Sequence, residues 1–72
     1  NFKMSISDHA YVNFSQEHEL NYHLQKVNKR QTEANRSILK TMGQEYKAKT
    51  GKHFITHAEF HTYIKTQLHR LE

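Results

Sequence analysis

The strongest constraint on the fold is a helix-ending signal followed by a helix-starting signal between residues 51 and 59. Gly51 suits the left-handed position that terminates a helix, because glycine adopts a positive φ without a steric penalty. Shortly afterwards the sequence reads "THAE", in which Thr56 and Glu59 have the spacing of a capping box. We therefore expect one helix to end near residue 50 and another to begin near residue 57.

The segment before Gly51 predicts a long amphipathic helix. It contains no proline, and Ser15 is a suitable N-cap with Glu17 and Glu19 in the first turn, where the helix dipole favours acidic side chains. At about 100° per residue, its apolar side forms a narrow band on the helical wheel. The members of this band are Leu20, Leu24, Val27, Gln31, Ala34, Ile38 and Met42. We expect one helix over about residues 16–50.

A break near Thr32 is the competing interpretation of this segment. Thr32 could cap a second helix, and a helix of about 34 residues is far longer than the average. We prefer the continuous helix because the apolar and basic stripes keep their phase through the polar centre. Gly43 should cost about 1 kcal/mol relative to alanine inside a helix. That position is therefore where we expect a bend or a close approach.

After the junction, the sequence predicts a C-terminal helix over about residues 57–71. Its apolar face consists of Phe60, Ile64, Leu68 and Leu71. The N-terminal stretch reads either as a short helix over residues 8–14 or as an extended arm, and it carries Ile6, Tyr11, Val12 and Phe14 for packing on the rest. The prediction is a single small all-α domain spanning residues 1–72, built as an αα-hairpin with an N-terminal arm or helix.

The difference in length between the two helices predicts an interaction surface. A helix of residues 16–50 would be about 50 Å long, and the C-terminal helix would cover less than half of it. Leu20, Leu24, Val27 and Gln31 would then need cover from the arm, from a second copy or from a protein partner. We therefore predict a homodimer or a docked protein partner at these four residues.

A second set of residues forms a basic side on the same segment. Four cations fall within roughly 40° of each other opposite the apolar band: Lys29, Arg36, Lys40 and Lys47. The formal net charge is +4 with neutral histidines, and such a row could follow a phosphate backbone by releasing counterions. An ordinary surface helix shows the same pattern. Phe54 and Phe60 are expected in the core of so small a domain, which argues against their stacking on bases.

Histidine recurs at every fourth position in the junction, at His53, His57 and His61. His57 and His61 have the i, i+4 spacing that lets two imidazoles share a metal ion. The zinc-protease pattern needs a glutamate directly after the first histidine, where Ala58 stands, and a third local ligand is missing. Both residues flank the apolar face, so we prefer a packing role and keep His57 and His61 as the metal candidates. A third interpretation is a pH switch, because interface imidazoles that charge at about pH 6 would loosen the packing.

Enzyme activity is not expected. The chain has no glycine-rich phosphate loop and no cysteine, and its only aspartate is Asp8. No cofactor and no small-molecule substrate is predicted. No apolar run reaches membrane-spanning length, so we expect no membrane association, and the cytoplasm is the default location.

The leading functional hypothesis is a non-enzymatic helical interaction or regulatory module that dimerises or docks on a protein partner. The alternative is a small basic nucleic-acid-binding regulator, and the third hypothesis is a zinc-stabilised helix pair.

Overall fold

The computed structural model describes residues 11–72, which form three α-helices and a final 3-10 turn. Helix α1 spans Glu17–Lys26, α2 spans Glu33–Thr50 and α3 spans His57–Lys65; the 3-10 turn spans Leu68–Arg70. Residues 11–72 contain no strand, only one isolated antiparallel bridge between Tyr11 and Thr56. The predicted all-α class and helical hairpin are therefore confirmed. The predictions for Ile6 and for residues 8–10 lie outside the described residues, whereas residues 11–14 are not helical, so the alternative of a helix over residues 8–14 is wrong for that part.

The single helix predicted over residues 16–50 is wrong, because the chain breaks after α1. Asn28 has a φ of 58°, the left-handed conformation that asparagine tolerates better than most residues. Its backbone N–H donates to the carbonyl of Gln25 at 3.1 Å, and that of Lys29 donates to the carbonyl of Leu24 at 2.9 Å. These two hydrogen bonds make up the Schellman motif. They satisfy the last carbonyls of α1 and turn the chain away.

The second helix starts where the competing interpretation put it. The Thr32 side chain accepts a hydrogen bond from the Asn35 backbone N–H at 3.1 Å. At the start of α1, by contrast, the cap position belongs to Gln16, which makes no side-chain capping bond. The hydroxyl of Ser15 instead donates to the Asn13 side chain at 2.6 Å. The Ser15 hydroxyl, which we expected to cap α1, is therefore used in a hydrogen bond to Asn13.

The break changes which face of α2 is buried. The buried residues of this helix are Asn35, Leu39, Met42 and Gly43. Ala34, from the predicted apolar band, is exposed, and Ile38 is half-buried. A loop of several residues rotates the second helix relative to the first, so a stripe drawn through both as one helix loses its phase.

The junction at residues 51–59 is confirmed. Gly51 has a φ of 74°, and its N–H donates to the carbonyl of Lys47 at 2.8 Å. The capping box is complete: the Glu59 N–H donates to the Thr56 hydroxyl at 3.1 Å, and the Thr56 N–H donates to the Glu59 carboxylate at 3.0 Å. Local side-chain to backbone hydrogen bonds therefore define this end of α2 and this start of α3.

The last helix is shorter than predicted, ending at Lys65 rather than near residue 71. The Thr66 hydroxyl and the Thr66 N–H both donate to the carbonyl of Tyr63, at 2.7 and 3.0 Å. This tight turn replaces the regular helical hydrogen bond. The chain continues as the 3-10 turn, which still brings Leu71 into the core at 5% exposure.

The core collects side chains from the arm, all three helices and the C-terminus. Helix α2 contacts both α1 and α3. The buried apolar residues are Val12, Leu20, Leu24, Leu39, Met42, Ile55, Phe60, Ile64 and Leu71. None of the helices within residues 11–72 is long and apolar enough to cross a membrane.

Gly43 is the close approach that the sequence suggests. A Cβ atom at this position would overlap the ring of Phe14, which packs directly against α2. The same ring meets Phe60 edge-on, with ring centroids 5.0 Å apart. The glycine therefore makes room for an aromatic residue of the N-terminal arm.

Candidate functional site

An exposed groove with aromatic walls lies between the N-terminal arm and the junction that precedes α3. We call it the aromatic groove and define it by Tyr11, Phe14, His18, Lys47, His53 and Phe54. Tyr11 is 36% exposed and Phe54 is 67% exposed, and their ring centroids lie 5.5 Å apart with the planes tilted by 45°. Two aromatic side chains are thus held against each other at the surface.

Backbone pairing explains why these two rings point outwards. The Val12 N–H donates to the carbonyl of Ile55 at 2.9 Å, so the arm runs alongside the junction. Val12 and Ile55 are 9% and 1% exposed. In extended chain, successive side chains point to opposite sides. Burial of Val12 and Ile55 therefore turns their neighbours Tyr11 and Phe54 towards solvent.

The expectation that Phe54 belongs to the core is wrong, whereas Phe60 is buried at 0% exposure. Ile55, directly after Phe54, takes the core position instead, at 1% exposure.

The charged side chains that line the aromatic groove within residues 11–72 are one lysine, Lys47, and one glutamate, Glu19. The Lys47 ammonium lies 5.1 Å from the centroid of the Phe14 ring, within cation–π distance. Glu19 also lines the groove, but its carboxylate accepts a hydrogen bond from the Asn13 backbone N–H at 2.7 Å. Nearby, Lys52 forms an ion pair with Glu59. Among the described residues, Lys47 is thus the cation beside the rings of the groove.

A histidine pair joins α1 to α3, with His23 buried and His57 half-buried. The imidazoles of His23 and His57 are stacked, with planes 12° apart, and His23 Nε2 lies 3.0 Å from His57 Nδ1. His57 Nε2 lies 3.6 Å from the carboxylate of Glu19. The sequence prediction of a packing role names His57 without its partner, His23. The signal for that partner is its spacing with Leu20 and Leu24 on the apolar face of α1.

The surroundings of His23 disfavour its charged form. The side chain is fully buried, and this burial, followed by the influence of His57, Lys26 and His61, lowers the pKa of His23 to about 4. Burial also lowers the pKa of His61, and Lys26 and Lys65 act in the same direction. An Nδ1 atom on each of these two histidines is buried without a hydrogen-bond partner among residues 11–72.

The metal candidates are not arranged as a metal centre. His57 uses Nδ1 to contact His23, and within residues 11–72 no group of three or more histidine or carboxylate side chains could hold a metal ion.

The predicted interface residues occupy different environments. Leu20 and Leu24 are 1% and 0% exposed within the chain's own core, because α1 folds back onto α2 rather than extending from it. Val27 is half-buried and Gln31 is exposed. The helices of the same chain therefore cover most of the stripe that we expected a partner to cover.

The predicted basic row is divided as well. Lys29 lies in the loop between α1 and α2 and donates to the Leu71 carbonyl at 3.3 Å. Arg36 donates to the Asn21 side chain at 3.1 Å and to the Gln31 carbonyl at 3.0 Å. Lys40 is exposed on α2, and Lys47 lies at the aromatic groove. The four cations are thus not presented together on one helix.

Comparison of the chain with protein-family models, with curated proteins and with solved structures found no match.

Proposed function

We propose that this chain is a small non-enzymatic interaction module that acts in the cytoplasm by docking on a protein partner through the aromatic groove. The observation that carries the proposal is the exposure of Tyr11 and Phe54 side by side. The core is filled without them, so the fold gains little from keeping two large apolar side chains in water.

Ring placement supports docking over incidental exposure. Single exposed apolar residues are common on protein surfaces. Tyr11 and Phe54 instead touch each other, and the hydrogen bond between Val12 and Ile55 restrains the backbone beneath them. Aromatic residues that are already ordered lose little entropy on binding, and they are frequent among the residues that dominate binding energy.

Charge favours a different protein over a second copy of this chain. Each copy carries a formal net charge of +4, so two grooves brought face to face would place like charges, Lys47 among them, close together. Like charges across an interface oppose association. Self-association of the groove is accordingly the less favourable form of the docking hypothesis.

The alternative function is binding of nucleic acid, and one observation favours it. Lys47 and the exposed ring of Phe54 line the same groove, a combination that also occurs where single strands stack on aromatic residues. The use of Lys29 and Arg36 in contacts within the chain leaves fewer cations for phosphates, and we therefore rank it second.

Affinity capture with matched variants tests the proposal. The immobilised native chain, Phe54→Ser and Tyr22→Ser are exposed to nuclease-treated extract at physiological salt. Tyr22 is a suitable control because it is 49% exposed on α1 and does not line the groove. We expect a protein identified by mass spectrometry to bind the native chain and Tyr22→Ser but not Phe54→Ser.

Two results would count against docking through the groove. One is equal capture by Phe54→Ser, which would place the binding elsewhere. The other is capture by the native chain that occurs from untreated extract but not from nuclease-treated extract, which would favour the nucleic-acid alternative.

A further inference from the structure

We infer that the ligand of the aromatic groove is an acidic peptide segment, in which one aromatic or aliphatic side chain packs against Tyr11 and Phe54 while flanking carboxylates meet Lys47. This inference rests on the proposed docking function and adds the chemistry of the partner.

The apolar half of the inference comes from the walls of the groove. Phe54, at 67% exposure, offers most of its ring, and Tyr11 supports it from the side. Phe14 also lines the groove and meets the buried Phe60 edge-on. A single apolar side chain placed here would contact aromatic surface that is already ordered, and such anchor residues supply much of the binding energy of an interface.

The acidic half comes from the charges that line the groove. Lys47 is held over the Phe14 ring, with its ammonium 5.1 Å from the ring centroid. Among residues 11–72, the carboxylate that lines the groove is that of Glu19, which is turned to the Asn13 N–H and towards His57. Lys47 forms no ion pair among residues 11–72. A segment with carboxylates would therefore meet a favourable charge at Lys47, whereas a lysine-rich segment would meet a like charge.

Ring geometry favours a peptide over a single-stranded nucleic acid. Successive bases bind by stacking flat on open aromatic faces. Tyr11 and Phe54 are in contact and tilted by 45°, so each ring partly covers the other. A phosphate chain also gains affinity from several cations at once, and the Lys52 ammonium is already paired with Glu59.

Synthetic peptides test the partner's chemistry directly. Fluorescence anisotropy at low salt compares a short peptide with glutamates on both sides of one phenylalanine against two matched peptides. In one the glutamates are replaced by lysines, and in the other the phenylalanine is replaced by serine. We expect the acidic phenylalanine peptide to bind with a dissociation constant of about 100 µM or tighter. Each matched peptide should bind at least about tenfold more weakly.

Variants of the chain then locate the binding. Phe54→Ser and Lys47→Gln should each weaken binding of the acidic peptide by about tenfold. Tyr22→Ser and Lys40→Gln are the matched controls and should leave it unchanged, since Lys40 lies on the same helix as Lys47 but does not line the groove. Thermal melts of all four variants show whether a loss of binding reflects a loss of folding.

Three results would overturn the inference: equal binding of the lysine-flanked peptide, tighter binding of an oligothymidine than of the acidic peptide, or no peptide binding up to about 1 mM. None of these would by itself remove the docking function. Capture of a protein that depends on Phe54 and survives nuclease would still support docking, with a partner of different chemistry.

Discussion

At the scale of single residues, a few side chains connect parts of the chain that are far apart in sequence. Asn35 is fully buried, and its amide group donates to the Arg30 carbonyl at 2.8 Å and accepts from the Glu72 N–H at 3.0 Å. It thereby joins the loop before α2 to the C-terminus. A buried amide is stable only when it is hydrogen-bonded in this way. Local polar character alone gives no indication that Asn35 would be an interior residue.

Gly43 and Phe14 should be energetically coupled. In Gly43→Ala, the helix gains about 1 kcal/mol of propensity, but the new methyl group overlaps the Phe14 ring, and overpacking costs about 1–3 kcal/mol. We expect a net loss of about 1 kcal/mol in the free energy of unfolding, measured by urea denaturation. In a Phe14→Ala background the clash is absent, and the same change should stabilise the chain.

The control for this prediction is Thr41→Ala, an exposed position on the same helix. It should increase the free energy of unfolding by a few tenths of a kcal/mol in both backgrounds, roughly the difference in helix propensity. An effect of Gly43→Ala that is identical with and without the Phe14 ring would contradict the coupling.

At the scale of elements, the ends of the helices are determined by hydrogen bonds within a few residues of each other. The Thr56 capping box and the Gly51 cap are of this kind, and both are recognisable in the sequence. The left-handed Asn28 and the Thr32 cap are local signals as well. A regular stripe of apolar and basic residues crosses the same region and favours a continuous helix over these local signals.

Substitution of Asn28 distinguishes a chain that breaks after α1 from a single continuous helix, because the two structures predict opposite effects on stability. At a left-handed position, Asn28→Gly should leave the free energy of unfolding unchanged or raise it by up to about 1 kcal/mol, and Asn28→Ala should lower it by about 1 kcal/mol. Inside a continuous helix the order would be reversed, because alanine is the better helix former there. Gln25→Ala, at an exposed position of α1, is the control and should change stability by less than about 0.5 kcal/mol.

At the scale of the whole molecule, we expect the buried His23 to make the stability of the fold sensitive to mild acid. The pKa of His23 is lowered from 6.5 to about 4, so below pH 6.5 the unfolded chain takes up a proton that the folded chain rejects. Stability is then fully present above 6.5 and is lost as the pH falls towards 4. The Arg70 guanidinium lowers the pKa of Glu45 from 4.5, and stability from that carboxylate is lost only below 4.5. A measurement at about pH 5 therefore isolates the histidines.

We expect the free energy of unfolding to fall by about 2 kcal/mol between pH 7 and pH 5, as measured by urea denaturation at each pH. In His23→Leu this difference should shrink to less than half, because most of it arises from one buried imidazole. His69→Gln removes an exposed histidine and should keep the native pH dependence. A His23→Leu variant that loses as much stability in acid as the native chain would exclude His23 as the cause.

The amino-acid sequence by itself determines the all-α class, the junction at residues 51–59 and the apolar face that includes Phe60 and Ile64. These features depend on hydrogen bonds and periodicity within one turn or one helix, so neighbouring residues encode them. The tertiary structure alone decided that Leu20 and Leu24 are covered within the chain and that Phe54 faces solvent. It also decided that His57 contacts His23, a residue 34 positions away in the sequence. Burial depends on which distant segments come into contact. The turn at Asn28 places α1 against α2, and the pairing of Val12 with Ile55 turns Phe54 outwards.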